Sequence, residues 1–356
     1  MRVLQVTPTL RWPSGVAEYV AGIASGLAEL GADVEVLAAG HPPAVGQPAH
    51  PLIGDVPVRW FRPRRLLGRY RYPVGMTRAI HAASRGADVI HTHQAYFPGT
   101  WIAATTRSRV AATLHLHPEH VVPDARRRHR RELDLLLRRL DLVAAVSRGE
   151  LELIRSVRRP KLDCVVWPAL AERPATPHER RTGRPLVLTV ARLVATKGLE
   201  NVLRAAAATG DVADWVVVGE GPERPRLESL CRELGLDPAT TLLGGIDDVE
   251  AEQLFRTATV FVSASTEEAF GIAVLKAIAN GSHPVVTDIP SHREMIETLG
   301  LRTDALLTVP VDPDEITSKV LRACRSGTPP ASVIDRVPTW QDSAQLLLAA
   351  YGELLG

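Results

Sequence analysis

Two basic side chains stand five residues apart in the second half of the sequence, directly after an apolar stretch of strand length. Arg192 offers a planar guanidinium that can grip two phosphate oxygens, and Lys197 offers a compact point charge. Only 4 of the 42 basic residues are lysines, so a lysine at this place is the less expected residue. The pair predicts a binding site for an anion such as a diphosphate, and two solvated surface charges are the simpler alternative.

Carboxylates and a predicted helix start lie further along the chain. Glu267 and Glu268 precede Gly271, and an apolar pattern predicts a helix over Ile272 to Ala279. The free N–H groups at a helix start can bind an anion. Glu268, placed before that start, can stabilise the helix dipole by about 0.3 to 1 kcal/mol.

These side chains must be positioned by strands that alternate with helical patterns. Short apolar runs recur along the whole chain, and several are separated by stretches with the period of a helix. The predicted strands are Val3 to Val6, Val34 to Leu37, Val89 to Ile90, Ala111 to Leu114, Leu142 to Val146, Cys164 to Trp167, Leu186 to Val190, Trp215 to Val218, Val260 to Val262, Pro284 to Thr287 and Leu306 to Val309. This alternation predicts an α/β fold with parallel sheets covered on both faces.

A break in this pattern predicts two domains. Residues 171–185 contain three prolines and mostly polar residues, which is the composition of a linker. The linker separates an N-terminal Rossmann-like domain, residues 1–170, from a C-terminal one, residues 186–335. Residues 336–356 carry a final helix, predicted from Trp340 to Leu355, which we expect to pack back on the first domain. Two such domains facing each other leave a cleft, a usual place for a ligand.

The composition excludes several classes of protein. The 356 residues are 45% hydrophobic and 23% charged, which is ordinary globular usage, and a formal charge of +2 gives no field that favours nucleic acid. Three distant cysteines and the absence of an apolar stretch of roughly 18 residues favour a cytoplasmic protein without disulfides or zinc. The first strand-to-helix turn has one glycine, Gly15, where a dinucleotide fingerprint needs three. Gly15 still precedes a helix start that could receive an anion.

Three segments follow predicted strands in a fixed order along the chain: Ala191 to Gly198, Val218 to Arg224 and Ser265 to Gly271. Together they resemble glycosyltransferase family 4, the retaining enzymes of GT-B fold that use nucleotide sugars. The resemblance covers most of the chain and includes Thr113-Leu114-His115. The stretch from Glu268 to Pro290 is most similar to bacterial mannosyltransferases of GDP-mannose type.

The resemblance implies a metal-independent, retaining transferase without a cofactor. It would move a hexosyl group from a GDP- or UDP-sugar to a hydroxyl of a glycan, a lipid-linked or a small natural-product acceptor. Glu268 and His115 would contact the donor sugar, and Glu267 competes with Glu268 if the loop register differs by one. The implied catalytic residues are Glu268, His115, Arg192 and Lys197. The implied donor-binding residues are Gly15, Arg192, Lys197, Gly219, Ile246, Glu267, Glu268, Phe270, Gly271, Ile272 and Lys276.

One position departs from the family's pattern. The second acid of its Glu-x7-Glu motif would fall at position 276, where this chain has Lys276. An ammonium donates and cannot accept, so it cannot replace a carboxylate that binds the nucleotide ribose. Three accounts stay open: Lys276 donates to a ribose oxygen or a phosphate, it pairs with Glu268 or Glu267, or donor binding is weakened. We favour the first, because Lys276 follows Glu268 by two helical turns on the side facing the cleft.

Histidines also follow two of the predicted strands. His91 and His93 end one strand, and His115 and His117 end another. Alternating histidines can bind a metal, yet no carboxylates stand near them at ligand spacing. We interpret them, together with His120 and apart from His115, as cleft lining or structure.

Two arginine-rich stretches, Arg59 to Arg71 and Arg126 to Arg131, belong to the predicted acceptor domain. They could bind a charged acceptor, nucleic acid or the inner face of a membrane, and a solvated face is the simpler interpretation. The alternatives to a transferase are therefore a nucleotide-sugar epimerase, an inactive GT-B protein, and a basic protein that binds nucleic acid or membranes. We expect no nucleic acid as the partner.

Overall fold

The computed structural model describes residues 1–10, 14–44, 49–67, 70–116, 127–174, 183–326 and 331–356. The chain forms two compact units. The first contains Met1–Ala171 together with Pro338–Gly356, and the second contains Glu172–Val337. Several residues named above lie outside the described ranges: residues 68–69 of the first arginine-rich stretch, His117, His120, Arg126 and residues 175–182 of the predicted linker.

The first unit is built on a parallel sheet of seven strands. Its strands and a separate hairpin, β4 with β5, are β1 (Arg2–Thr7), β2 (Asp33–Ala39), β3 (Val58–Phe61), β4 (Arg64–Leu67), β5 (Tyr70–Tyr72), β6 (Val89–His93), β7 (Arg109–Thr113), β8 (Leu142–Ala145) and β9 (Leu162–Val165). The sheet order is β3-β2-β1-β6-β7-β8-β9. Val3 pairs with Val34 on one side and with Val89 on the other, so the apolar centres of three strands lie at one level.

Helices cover this sheet because each presents an apolar stripe. They are α1 (Gly15–Glu29), α2 (Val74–Ala83), α3 (Pro98–Ala103), α4 (Arg127–Leu137) and α5 (Arg148–Val157). In α1, Val20, Ile23 and Leu27 are fully buried, as the sequence period predicts. The helix ends where Gly31 takes φ +85°, a conformation that glycine adopts without strain.

The second unit has a parallel sheet of six strands. These are β10 (Leu186–Val190), β11 (Asp214–Val218), β12 (Leu242–Gly244), β13 (Val260–Ser263), β14 (His283–Thr287) and β15 (Leu306–Leu307). Their order is β12-β11-β10-β13-β14-β15. After β10 the chain adds β11 and β12 on one side of β10. It then crosses back and adds β13, β14 and β15 on the other side. The gap between the carboxyl ends of β10 and β13 is the switch point at which such sheets bind ligands.

The helices of the second unit pack on both faces of its sheet. They are α6 (Leu199–Thr209), α7 (Arg224–Glu233), α8 (Pro238–Thr241), α9 (Asp248–Thr257), α10 (Ile272–Ala279), α11 (Pro290–Thr298), α12 (Pro313–Arg325) and α13 (Ala331–Ile334). Helix α10 begins and ends at the residues that the apolar pattern predicts. Its Leu275 and Ile278 are fully buried, which anchors the helix directly above the switch point.

The final helix, α14 (Trp340–Leu355), packs on α1 within the first unit. Its bounds match the predicted ones. Thr339 and Asp342 form a reciprocal capping box that fixes where it begins. A Cβ at Gly22 would lie 2.1 Å from the Trp340 ring, so α1 needs glycine for this close approach.

Some edge strands differ from the sequence analysis. The short β12 and the edge strand β3 are absent from the predicted set, and β15 ends two residues earlier than predicted. β3 includes part of the first arginine-rich stretch, and Arg59 lies 2.5 Å from Glu35 on the neighbouring strand. Edge strands carry polar residues on their solvent side, so their apolar pattern is too weak to detect.

Candidate active site

A cavity of about 180 Å³ opens at the carboxyl ends of β10 and β13. Its walls include Arg192, Lys197, Ser265, Glu268 and Gly271. The first two follow β10, and the others follow β13 and precede α10. The structure thus brings the predicted cations, a predicted acid and a predicted helix start to one place.

A glycine-rich loop holds the backbone around Arg192. The N–H of Ala191 donates to the carbonyl of Val218 at 3.0 Å, and the N–H of Leu193 donates to that of Glu220 at 2.9 Å. A Cβ on Gly219 would lie 1.9 Å from the Ala191 carbonyl oxygen, and Gly219 has φ +143°. Gly219 is therefore required for the two loops to pack closely beside Arg192.

A tight turn brings Lys197 towards the loop after β13. Residues Ala195–Lys197 form a 3-10 turn that ends at Gly198, with φ +61°. A Cβ on Gly198 would lie 2.4 Å from the carbonyl oxygen of Ala264, so only glycine permits this approach. The Lys197 side chain is 10% exposed, whereas Arg192 is exposed.

Lys197 forms an ion pair with Glu268 inside the cavity. Its Nζ lies 2.5 Å from Oε1 of Glu268, and the hydroxyl of Ser265 donates to the same oxygen at 2.9 Å. Burial alone would raise the pKa of Glu268, but the charge and hydrogen bond of Lys197, with a further hydrogen bond from Ser265, hold this pKa below its usual value. Glu268 is therefore an ionised carboxylate with one oxygen anchored twice.

Helix α10 starts after Gly271, which has φ +98°. Within the described chain no side chain caps this helix start, so its first N–H groups are not used by a capping side chain. They lie at the end of the helix that borders the cavity. Glu268 lies in the preceding loop, which corrects the expectation that Glu268 and Lys276 are two turns apart on one helix. Lys276 lies one turn into α10, four residues after Ile272, which lines the cavity.

The structure adds two residues that the sequence analysis did not identify, Thr287 and His292. Both are fully buried, at the end of β14 and in α11. The Thr287 hydroxyl donates to the carbonyl of Ser265 at 2.5 Å, and Nδ1 of His292 lies 3.1 Å from both oxygens of Thr287. No motif or spacing in the sequence identifies either residue, because hydrogen bonds between separate elements of the fold connect them to Glu268.

The described walls of the cavity do not include the other predicted donor residues. Phe270 is buried under the loop, with 4% exposure, and Glu267 and Ile246 are half-buried. Ile246 follows β12 at the carboxyl edge of the same sheet. Phe270 therefore anchors the loop that carries Glu268.

His115 lies in the first unit, at the end of a buried histidine stack. It takes φ +50°, an unusual conformation for a non-glycine residue. Its ring stacks on His93 with centroids 5.7 Å apart and meets the edge of Tyr19 at 5.2 Å. The next N–H, of Leu116, donates to buried Glu150 at 2.6 Å, which fixes this turn.

His91 and His93 are structural members of the same stack. His91 contacts the Tyr351 hydroxyl at 2.5 Å and the Thr113 hydroxyl at 2.8 Å. Burial lowers the pKa of His91 to about 3 and places that of His93 well below its usual value. Among the described residues, no group of three His, Cys, Asp or Glu is arranged to hold a metal ion.

Gly15 is the first residue of α1, and Ser14 caps the helix by accepting from the N–H of Ala17 at 3.5 Å. Gly15 therefore belongs to the first unit, whereas Arg192 and Lys197 belong to the second. Helix α4 contains part of the second arginine-rich stretch. Arg130 and Arg131 are exposed, while its Leu133 is buried, so α4 is an amphipathic helix.

Solved structures share the fold of this chain. Anabaena HepE, solved in complex with UDP and glucose, is similar to this chain with a TM-score of 0.70 at 17% identity, over 99% of this chain and 98% of that one. Sucrose-phosphate synthase from Thermosynechococcus elongatus gives the same TM-score at 18% identity, over 100% and 96%. The two Rossmann-like units thus form the GT-B fold, as predicted.

Each half of the sequence is similar to one protein family. Residues 13–169 match the family described as Glycosyltransferase Family 4, and residues 173–337 match Glycosyl transferases group 1. The first half of the chain is thus similar to glycosyltransferase family 4 domains, and the second half is similar to glycosyl transferases group 1 domains.

Individual relatives are similar over part of their length. The alpha-monoglucosyldiacylglycerol synthase of Streptococcus pneumoniae is 27% identical over 66% of this chain and 58% of its own length. An uncharacterised glycosyltransferase of Methanocaldococcus jannaschii is 32% identical over 37% and 33%. The chain thus spans less than two thirds of these relatives. No helix in the described ranges has both the length and the apolar character needed to cross a bilayer.

Proposed function

We propose that this protein is a retaining glycosyltransferase that transfers a hexosyl group from a nucleoside diphosphate sugar to a hydroxyl acceptor, without a metal ion. The observation that carries this proposal is the cavity at the switch point of the second unit. There an ionised Glu268 stands beside Arg192, Lys197 and the uncapped start of α10. The donor binds on the second unit, and the acceptor binds mainly on the first.

The diphosphate of the donor binds the cationic wall of the cavity. In the described part of the chain no carboxylate pairs with Arg192, so its guanidinium can take two phosphate oxygens. Lys197 uses one of its three N–H donors on Glu268 and keeps two for phosphate. The N–H groups at the start of α10, from Ile272 onward, supply further donors. This set carries charge without any cofactor.

Glu268 reads the sugar. Both of its anchoring hydrogen bonds fall on Oε1, so Oε2 can accept from two vicinal hydroxyls of the hexosyl group. Its lowered pKa keeps it ionised and prevents it from acting as a general acid near neutral pH. His115 is the first unit's proposed contact to the same sugar.

The reaction proceeds on one face of the sugar. The bond from the anomeric carbon to the diphosphate oxygen breaks, and the bond to the acceptor oxygen forms on the same side. The departing diphosphate takes the acceptor's proton, so no side-chain nucleophile is needed. Arg192, Lys197 and the start of α10 stabilise the charge that develops on the leaving group. Glu268 contributes by positioning the ring.

Lys276 belongs to the donor site in this proposal. It lies three and four residues after Ala273 and Ile272, which line the cavity, so the three share one face of α10. An ammonium there donates to a ribose oxygen or a phosphate. Lys276 thus takes over the ribose side of the site with the opposite hydrogen-bonding character.

The nucleotide and the acceptor are proposed by class. HepE was solved with UDP and glucose, and the stretch Glu268 to Pro290 is most similar to transferases of GDP-mannose type, so UDP- and GDP-hexoses are the two donor classes. The similarity to a diacylglycerol glycolipid synthase supports a lipid-linked acceptor beside glycans and small natural products. The exposed arginines of α4 would face a charged acceptor or a membrane surface.

A thermal-shift panel of UDP, GDP and ADP, each with its hexose conjugate, tests the proposal. A ligand at 100 times its dissociation constant adds about 2.7 kcal/mol to the folded state, which is a shift of several degrees. We expect one nucleotide to stabilise the protein and to lose this effect in Arg192→Met. Stabilisation by none of them would overturn the proposal. Conversion of the donor to a stereoisomer without any acceptor would favour an epimerase.

A further inference from the structure

A buried histidine lies behind the start of α10. The ring of His292 has no exposed surface, and its Nε2 would lie 3.2 Å from a Cβ placed on Gly271. Gly271 lines the cavity, whereas His292 stands behind it. His292 is therefore next to the candidate site without being placed to contact a ligand in the cavity.

The hydrogen bonds of His292 determine its protonation. Nδ1 lies 3.1 Å from the carbonyl oxygen of Thr287, and a carbonyl oxygen can only accept, so Nδ1 carries a proton. Burial lowers the pKa of His292 and Lys197 acts in the same direction, which outweighs the opposite effects of Glu268 and the Thr287 carbonyl. The ring is therefore neutral, with a proton on Nδ1 and none on Nε2.

From Nδ1 a buried chain of hydrogen bonds leads to the carboxylate. The Thr287 hydroxyl accepts from Nδ1 at 3.1 Å and donates to the carbonyl of Ser265 at 2.5 Å. The hydroxyl of Ser265 then donates to Oε1 of Glu268 at 2.9 Å. In the described chain Nε2 of His292 has no hydrogen-bond partner, so all polar contact of the ring is made through Nδ1.

We propose that His292 is a positioning residue for Glu268. Acting through Thr287, it fixes the backbone of Ser265, and Ser265 fixes the carboxylate oxygen that is not used for ligand. The inference rests on the proposed function, because Glu268 is there assigned to the hexosyl group. His292 should then matter for the sugar part of the donor and leave recognition of the nucleotide part to Arg192 and Lys197.

Three substitutions of His292 distinguish the contribution of Nδ1 from that of Nε2. His292→Asn keeps an amide donor near the Nδ1 position, His292→Gln places its amide near Nε2, and His292→Leu removes both. Calorimetric titrations use UDP with UDP-glucose and GDP with GDP-mannose. We expect His292→Leu to weaken sugar-nucleotide binding about tenfold and free-nucleotide binding less than twofold. His292→Asn should lose threefold or less, and His292→Gln should resemble Leu.

A double-mutant cycle tests whether the effect passes through Glu268. In a Glu268→Gln background, His292→Leu should change sugar-nucleotide affinity less than twofold. The inference would be overturned if His292→Leu weakened the binding of free nucleotide and of sugar nucleotide equally, or if its effect added to that of Glu268→Gln. It would also be overturned if His292→Gln kept sugar-nucleotide affinity while His292→Asn lost it. If the wild-type protein binds neither ligand pair, the proposed function fails instead.

The tautomer provides a test that needs no ligand and no stable Leu variant. In the apo protein labelled with ¹⁵N-histidine, the His292 resonances, assigned by their loss in His292→Asn, should show protonated Nδ1 and unprotonated Nε2. A neutral ring that carries its only proton on Nε2 near neutral pH would leave Nδ1 unable to donate to Thr287, and it would overturn the inference.

Discussion

The ammonium of Lys197 lies 2.5 Å from Oε1 of Glu268, and both side chains are largely covered. A predicted phosphate-binding cation and a predicted sugar-binding carboxylate thus form an ion pair with each other. The pair keeps the carboxylate ionised in a cavity where burial alone would neutralise it. It also reduces the charge that Lys197 offers to a phosphate, so we expect Arg192 to supply most of the attraction for a diphosphate.

Lys197→Met should harm both functions of the pair. It removes a charge-assisted hydrogen bond, worth roughly 1.5 to 3 kcal/mol, so nucleotide affinity should fall about 10- to 100-fold. It also leaves the burial of Glu268 uncompensated, so the pKa of Glu268 should rise above its usual value. Isothermal titration measures the affinity. Lys161→Met removes a surface lysine of the first unit as a control, and equal affinities for the two variants would contradict the assignment.

Gly198→Ala tests the backbone turn that delivers Lys197. The new Cβ would lie 2.4 Å from the Ala264 carbonyl oxygen, and the residue has φ +61°. Gly235→Ala is a matched control, because Gly235 has φ +73° with nothing within 4 Å of its added Cβ. The control should lose about 1 to 2 kcal/mol from backbone strain alone. Gly198→Ala should lose more in denaturant unfolding and should also weaken nucleotide binding; a loss equal to the control's would show that the close approach is unimportant.

The sequence predicts the charged side chains that line the cavity, but it does not predict the buried residues behind them. Arg192, Lys197 and Glu268 are detectable because each follows an apolar strand in a parallel sheet, whose carboxyl ends meet at one edge. The bounds of α10 follow from its apolar run. Thr287 and His292 are not detectable, since a buried hydrogen bond between residues of separate elements leaves no periodic pattern. The Lys197–Glu268 pair is missed for the same reason, because 71 residues separate its members.

The buried histidines and Glu150 should give the protein a composite dependence on pH. The pKa of His91 is about 3 in the folded protein against 6.5 in the unfolded chain, so its contribution to stability is lost as pH falls from 6.5 towards 3. Burial raises the pKa of Glu150 from 4.5 to about 7, so its contribution grows as pH falls from 7 to 4.5. The two groups oppose each other.

Glu150→Gln should therefore steepen the loss of stability on acidification. The slope between pH 7 and 4.5 should increase by up to about 1.4 kcal/mol per pH unit, measured by denaturant unfolding across that window. Exposed Glu233→Gln serves as the control for removing a carboxylate. An unchanged slope in Glu150→Gln would mean that Glu150 is ionised throughout.

Lys276→Glu tests the position that departs from the family's pattern. A carboxylate in place of the ammonium would repel a phosphate and could no longer donate to a ribose oxygen. We expect at least a tenfold loss of nucleoside diphosphate affinity, with Lys276→Gln, which keeps an N–H donor, losing less. Unchanged or improved affinity in Lys276→Glu would show that Lys276 does not take part in donor binding.

The most direct measurement is a crystal structure of the protein soaked with the hexose nucleotide that stabilises it best. We expect a diphosphate within hydrogen-bond distance of Arg192, Lys197 and the N–H of Ile272, with sugar hydroxyls on Oε2 of Glu268. A nucleotide bound elsewhere, or a saturated crystal in which this cavity stays empty and both cations turn to solvent, would contradict this expectation.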